Sequence, residues 1–304
     1  MSLRQNQIKK KKILNKIYNF FPFSLISFSL KDPNDPVDIL VSDFDGAKIR
    51  IQLEKEGVLV VSLQWALLPN LNGHGIQIAL KNNYEKFNPK LDGETATITI
   101  DLAQLPEEKK AGLPLHISMI KRNVFAAPFN KFFDAAAKSQ ELPVLGLEYR
   151  PNEYVFLKNV QNRTIVVFKV LFKDKDDQTL AKVFLQEFSR STGGAPSVSY
   201  SYKNAPSDVA GVKGAEESDD HGYISFVLFP PHMTGNNRVK TISNIQTFRN
   251  YLHYHIKCAK AYMHTRMRAR VSSLLKILNR AKTEPLVKVK RNIKGKIIST
   301  TKTK

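Results

Sequence analysis

Only one cysteine, Cys258, occurs among the 304 residues. Its isolation excludes a disulfide framework and any cysteine-built zinc site, and it fits a reducing compartment. Long apolar runs are also lacking. Ile13 to Leu30 comes nearest, but Asn15, Lys16, Asn19, Pro22 and several serines interrupt it, whereas a spanning helix wants about 20 mostly apolar residues. The basic start imitates a secretory signal, yet no small-residue cleavage pattern follows, only the loop-forming Asp32-Pro33-Asn34-Asp35-Pro36. Assembled catalytic motifs are missing too. Gly193-Gly194 leads into Ala195-Pro196 rather than Lys-Ser, and there is no Gly-x-Ser-x-Gly elbow. The polar run Asp174 to Asp177 lacks the glycine and closing glutamate of a calcium loop, Thr179 and Leu185 standing in those places. The seven histidines include no pair four residues apart, and His253 and His255 would point to different faces of a helix. No metal or cofactor is expected.

Acid is scarce at both ends of the chain. Residues 1–16 hold Arg4, Lys9, Lys10, Lys11, Lys12 and Lys16 with no Asp or Glu, and residues 251–304 hold 15 Lys or Arg against Glu284 alone. These two segments account for the whole formal charge of +20, so residues 17–250 are neutral in net charge. A neutral body with basic ends implies a polyanionic partner at the ends: nucleic acid, acidic lipid or an acidic protein surface such as a filament. With 42% hydrophobic and 10% aromatic residues the body can fill real cores.

Hydrophobic periodicity divides that body. Val37 to Val41, Ala47 to Leu53, Val58 to Trp65 and Thr95 to Leu102 read as strands, with Gly73-His74-Gly75 and Leu91-Asp92-Gly93 as loops. From Glu107 to about Lys138, apolar residues at three- and four-residue steps predict one long amphipathic helix that Pro128 kinks. The order then recurs. Val144 to Tyr149, Tyr154 to Leu157, Thr164 to Phe172, Leu180 to Phe188, Ser197 to Tyr202 and Tyr223 to Phe229 read as strands, Asp174 to Asp177 as a hairpin turn, and Asn204 to Asp220 as a low-complexity loop. A second helix follows Gly235-Asn236-Asn237. Its apolar face runs through Ile242, Ile245, Phe248, Leu252, Ile256, Ala259 and Met263.

The fold class is therefore α+β: two tandem similar domains, each a mainly antiparallel sheet covered by a long helix, with an extended C-terminal helix. The segments are a divergent stretch 1–36, α/β domains at 37–140 and 141–250, the extended helix 251–284 and a basic flexible tail 285–304. The last helix, about 40 residues or about 60 Å long, overshoots a domain of this size. Its far end, with Leu274, Leu275 and Leu278, is expected to bind a partner.

Two constellations invite functional readings. Asp43-Phe44-Asp45-Gly46 follows the apolar Ile39-Leu40-Val41, as the nucleophile and acid–base pair of haloacid dehalogenase-type phosphatases do. Strands dominate the next sixty or so residues without the crossover helices of a parallel sheet, so a strand with a tight turn is the better reading. The basic helix interleaves Lys257, Lys260, Arg266, Arg268, Arg270, Lys276 and Arg280 with Tyr251, Tyr254 and Tyr262. A basic RNA-associated protein could present such a surface, although no recognised RNA-binding motif accompanies it and core packing accounts for the aromatics equally well.

One stretch carries a specific resemblance. Thr247 to Cys258 (TFRNYLHYHIKC), continuing through Ala259 to Ala269 (AKAYMHTRMRA), resembles the signature helix of the subunit 2 family of the actin-related protein 2/3 complex. Asp43 to Gly46, Lys121 to Ala126 (KRNVFA), Phe172-Lys173-Asp174, Val183 to Phe188 (VFLQEF), Gly222 to Pro230 with His232, and Leu278 to Ala281 match in order, so the resemblance spans about residues 42–284. It implies a non-catalytic scaffold of two related α/β domains whose long helix packs with subunit 4. It also implies contact with the mother filament, partnership with actin-related proteins 2 and 3, and a place in the cytoplasmic actin cytoskeleton and cell cortex. On that basis Phe248, Leu252, Ile256 and Ala259 are expected to pack the helix, and Arg266, Arg268, Arg270, Lys276 and Arg280 to meet the filament or a partner.

Overall fold

The structure is a computed structural model that describes residues 37–43, 45–54, 57–106, 110, 112–189, 196–281, 287–291, 295 and 297–302. The basic start and the Ile13 to Leu30 stretch lie outside the described residues. So do Phe44, Glu107 and Gly193-Gly194.

Two five-stranded antiparallel sheets form, and they repeat one topology. The first half runs β1 (Val37–Ser42), β2 (Lys48–Leu53), β3 (Val58–Gln64), α1 (Leu68–Leu71), α2 (Ile76–Tyr84), β4 (Lys90–Asp92) and β5 (Thr95–Asp101), then α3 (Leu113–Ser118) and α4 (Ile120–Ala137). The second runs β6 (Leu145–Arg150), β7 (Glu153–Val160), β8 (Arg163–Leu171), α5 (Lys175–Ser189), β9 (Ser197–Tyr202) and β10 (His221–Leu228), then α6 (Pro230–Met233) and α7 (Gly235–Arg280). Strand orders β1-β2-β3-β5-β4 and β6-β7-β8-β10-β9 correspond position for position. In each half a three-strand meander leads through a helix to a short edge strand, and an interior strand then returns beside the third. The expected fold class is the one found.

Alternation sets the first sheet's buried face. Ile51 of β2 lies opposite Val61 of β3, which lies opposite Ile98 of β5. Leu59 and Leu63 extend the same face, and all five side chains are buried. In the second sheet Phe168 and Phe226 face α7, where Phe248 packs at 5.1 and 4.7 Å between ring centroids. The opposite face, with Phe156, Val167 and Tyr223, is covered by Val209 and Ala215 of the segment read as a low-complexity loop. Gly214 in that loop has φ +90°, and a Cβ there would meet the Tyr154 ring at 2.5 Å. Its carbonyl accepts from the buried Lys169 Nζ at 2.9 Å, so only glycine lets the loop come this close.

Four expectations are corrected. Leu180 to Phe188 is not a strand, and Asp174 to Asp177 is not a hairpin turn. Both belong to α5 or its start, with Asp176 and Asp177 in the first turn, where carboxylates suit the helix dipole. Ala181 and Leu185, four residues apart, are buried on one face. No element is expected between Gly73-His74-Gly75 and Leu91-Asp92-Gly93, both read as loops, yet Ile76–Tyr84 is a helix with Ile76, Leu80 and Tyr84 buried at four-residue steps. Leu91-Asp92 belongs to strand β4. The long helix of the first half is two helices that break at Met119. The second continues through Pro128, and 13 of its 18 residues are buried, so it is enclosed rather than amphipathic. Finally, the tail 285–304 carries the antiparallel pair β11 (Val287–Arg291) and β12 (Ile297–Lys302). The alternation Val287-Lys288-Val289-Lys290 is a strand period inside what reads as a plain basic run.

By contact density the chain divides into residues 1–252 and 253–304, with α7 crossing the division. In the first unit, α4 touches both halves. Asn123 Nδ2 donates to Tyr84 Oη at 2.9 Å, and Asn159 of β7 donates to the Phe132 carbonyl at 2.9 Å. Among the described residues no helix is long and apolar enough to cross a membrane.

His221, buried at the start of β10, makes hydrogen bonds with Asn152 O at 3.0 Å through Nε2 and with Ser218 Oγ at 2.8 Å through Nδ1. Burial, aided by the Lys169 ammonium, holds its pKa below the ordinary 6.5. A depressed histidine pKa means that the fold prefers the neutral ring. This contribution to stability is therefore complete above about pH 6.5 and is lost as pH falls through the lower folded value. Thermal unfolding measured from about pH 7 down to about pH 5 should show a falling midpoint, with a shallower fall in His221→Gln.

Candidate functional site

Asp43, Asp45 and Gly46 of the Asp-Phe-Asp-Gly motif lie in the turn between antiparallel β1 and β2. Asp43 N–H donates to Ala47 O at 2.8 Å, Gly46 N–H donates to Asp43 O at 3.1 Å, and Gly46 takes φ +80°. Both carboxylates converge on one cation, for Lys121 Nζ of α4 lies 2.5 Å from Asp43 and 2.6 Å from Asp45. The ammonium also sits 5.2 Å from the centre of the Trp65 ring. Nothing about this arrangement prepares a nucleophile. The carboxylates are spent on an ion pair that pins the first hairpin to α4, in a turn rather than at the mouth of a parallel sheet. Among the described residues no group of three His, Cys, Asp or Glu side chains could hold a metal.

Helix α7 is 46 residues long, about 69 Å, and its sequence from Gly235 to Arg280 contains no Asp or Glu. Its first part is fixed by arginines acting in both directions. Arg238 donates to the Asn130 side chain at 2.8 Å and to Asp134 at 2.6 Å. Arg122 of α4 donates back to Val239 O at 3.1 Å. Arg249 donates to Glu153 Oε1 at 3.2 and 2.9 Å from two guanidinium nitrogens, and that oxygen also accepts from Leu171 N–H. Glu153 is only 2% exposed, so this pair clamps the helix to the second sheet. Sequence reading missed these anchors. The available signal was an arginine standing within an apolar face, as Arg249 does beside Phe248 and Leu252.

Of the four packing residues expected on this helix, Phe248, Leu252 and Ile256 are 8%, 0% and 2% exposed, and Ala259 is half-buried. Met263, read as part of the same face, is 44% exposed. The buried stripe therefore ends at Ile256, about two turns earlier than the periodicity implies.

Every described residue from Ala261 to Ala281 is exposed, including Arg266, Arg268, Arg270, Lys276 and Arg280. Arg266 stacks on Tyr262, 5.4 Å from the ring centre, and donates to its hydroxyl at 2.6 Å. A second stripe shares this stretch. Met267, Val271, Leu274 and Leu278, at steps of four, three and four, are each more than half exposed. That is the spacing of a coiled-coil seam, and Arg268 and Arg270 flank it. Leu274 and Leu278 were legible in the sequence, whereas Met267 and Val271 were hidden among the basic residues. The aromatics that invited an RNA reading are unevenly placed. Tyr251 is half-buried with its ring 6.0 Å from Phe184, whereas Tyr254 and Tyr262 are exposed.

A two-sheet α+β scaffold carrying a long, acid-free helix with an open apolar seam belongs to the class of proteins built to dock other subunits. Residues 61–285 match the family model described as "Arp2/3 complex, 34 kD subunit p34-Arc". The chain is similar to the actin-related protein 2/3 complex subunit 2 of Schizosaccharomyces pombe, with 39% identity covering 88% of this chain and 93% of that protein. It is similar to the Dictyostelium discoideum subunit 2 at 39% identity as well, covering 86% and 90%. The chain belongs to the p34-Arc subunit family of the Arp2/3 complex.

Because Lys121 neutralises two partly buried carboxylates, Lys121→Met should cost about 3 kcal/mol, the low end for breaking a buried ion pair. Chemical denaturation checks this. A structural role also requires that Asp43→Asn leave no phosphoester hydrolysis to be lost in a magnesium assay.

Proposed function

We propose that this chain is the non-catalytic scaffold and actin-binding subunit of an actin-related protein 2/3 complex, the assembly that nucleates branched actin filaments. It pairs with subunit 4, joins actin-related proteins 2 and 3, and contacts the mother filament in the cytoplasmic actin cytoskeleton and cell cortex. The observation that carries this reading is the uneven burial of α7. Up to Ile256 the helix has a buried face, and beyond Ala259 it exposes a seam and a cationic surface together.

The two features support different tasks. Exposed leucines at coiled-coil spacing favour a partner helix, because burying them removes apolar surface from water at about 25 cal/mol per Å². The cations Arg266, Arg268, Arg270, Lys276 and Arg280 have no acid on their own helix to answer them, so they favour an acidic surface. Segments 37–140 and 141–250 then serve as two α/β platforms, and 251–284 as the docking helix. Among the described residues no feature assembles a reaction centre, and the family match does not favour the RNA alternative.

Charge reversal at Arg268, Lys276 and Arg280 should weaken filament binding and lower branch density, more strongly at low salt than at physiological salt, because exposed charges are screened within about 8–10 Å. Filament pelleting and branch counting by fluorescence microscopy measure both. Unchanged branching at both salt concentrations would remove the filament role from these residues.

A further inference from the structure

Ser273 occupies an unusual place on α7. It is exposed, and its hydroxyl donates to the Ala269 carbonyl one turn back at 3.0 Å. At 100° per residue it lies about 160° around the helix from Val271 of the seam. Arg270 stands three residues before it and Lys276 three residues after, both on adjoining turns. Arg268 and Arg270 fall at positions −5 and −3, the charge pattern by which arginine-directed protein kinases choose a serine. The neighbouring Ser272 has arginines at −4 and −2 instead.

We propose that Ser273 is a phosphate-acceptor site for an arginine-directed serine/threonine kinase, and that the phosphate partly discharges the cationic face of α7. The second half rests on the filament-binding reading above. In the transfer, Ser273 Oγ attacks the γ-phosphorus of ATP. The Oγ–P bond forms, the bond to the β–γ bridging oxygen breaks, ADP leaves, and the hydroxyl proton passes to the kinase's catalytic aspartate.

Access is not an obstacle, although kinases bind extended segments. No described side chain from Ala261 to Ala281 is buried, and Ser273 is two turns from the helix end at Arg280, so opening that end forfeits little packing. The charge effect is large for its size. Residues 253–280 carry seven Lys or Arg and no acid, and a phosphoserine adds about −1.5 to −2. It would be the first negative side chain on the helix. Arg270 and Lys276, two of the five cations assigned to the filament, are close enough to pair with it in place of a partner's carboxylates.

The test uses the full chain, a purified arginine-directed kinase catalytic domain, ATP labelled at the γ position, and mass spectrometry to place the phosphate. Label should appear on Ser273, disappear in Ser273→Ala, persist in Ser272→Ala and fall sharply in the Arg268→Ala/Arg270→Ala double variant. Phosphorylated chain should pellet with actin filaments about fivefold or more weakly than unmodified chain, the low end of ordinary coupling between sites. Label on Ser272 or on neither serine overturns the acceptor assignment. Label on Ser273 with unchanged pelleting overturns the regulatory half, provided that charge reversal at Arg268, Lys276 and Arg280 does weaken pelleting. If neither change affects pelleting, the filament reading has failed instead, and the position of the label alone decides the acceptor assignment.

Discussion

Helix α4 is the element on which the rest of this molecule depends, because it is enclosed on nearly every side and each side belongs to a different part of the chain. Lys121 reaches the β1–β2 turn, Asn123 reaches Tyr84 of α2, and Asn130 and Asp134 hold Arg238 of α7. The Phe132 carbonyl takes the Asn159 amide of the second sheet. Phe129 and Ala136 are fully buried between these contacts. A helix so surrounded can tolerate Pro128, whose missing N–H and ring would cost about 3 kcal/mol in an isolated helix, because packing on all sides opposes any bend.

The polar groups on α4 explain why the two halves behave as one unit. The second half alone would leave the buried Asn159 amide without the Phe132 carbonyl, and an unsatisfied buried polar group costs about 1–3 kcal/mol. Asn123 and Lys121 bind within the first half, while Asn130 and Asp134 bind across to α7. The start of α7 is thereby fixed by both halves before its apolar face reaches Phe168 and Phe226.

Much of this was legible. The strands with clean alternation, such as Lys48–Leu53 and Thr95–Asp101, stood out because one face is buried and the other wet. The twofold repetition was visible in their order. Ile76–Tyr84 and Lys175–Ser189 were missed or misread, and they hold the same place in the two halves, between the third strand and the edge strand. Their apolar residues are few and mixed with β-formers, as in Val183-Phe184-Leu185, so local preference pointed to strand while burial at four-residue spacing decided for helix. The enclosure of α4 was invisible for a related reason: a helix buried on all sides has no amphipathic period, and the periodicity read there was only part of its surface. At the candidate site, the basic residues and Leu274, Leu275 and Leu278 could be read directly. The clamp of Arg249 on Glu153 could not, since the two lie 96 residues apart in sequence and only the fold joins them.

Helix α7 is one helix with two environments, with a buried face up to Ile256 and full exposure beyond Lys260. Hydrogen–deuterium exchange on the chain alone and in the assembled complex tests this most directly. The account predicts that amides of residues 238–252 are protected in both states. Amides of residues 261–280 should exchange orders of magnitude faster in the chain alone and become protected only on assembly. Equal, strong protection of residues 261–280 in the isolated chain would contradict it, because the seam and the cations would then already be engaged within this one polypeptide.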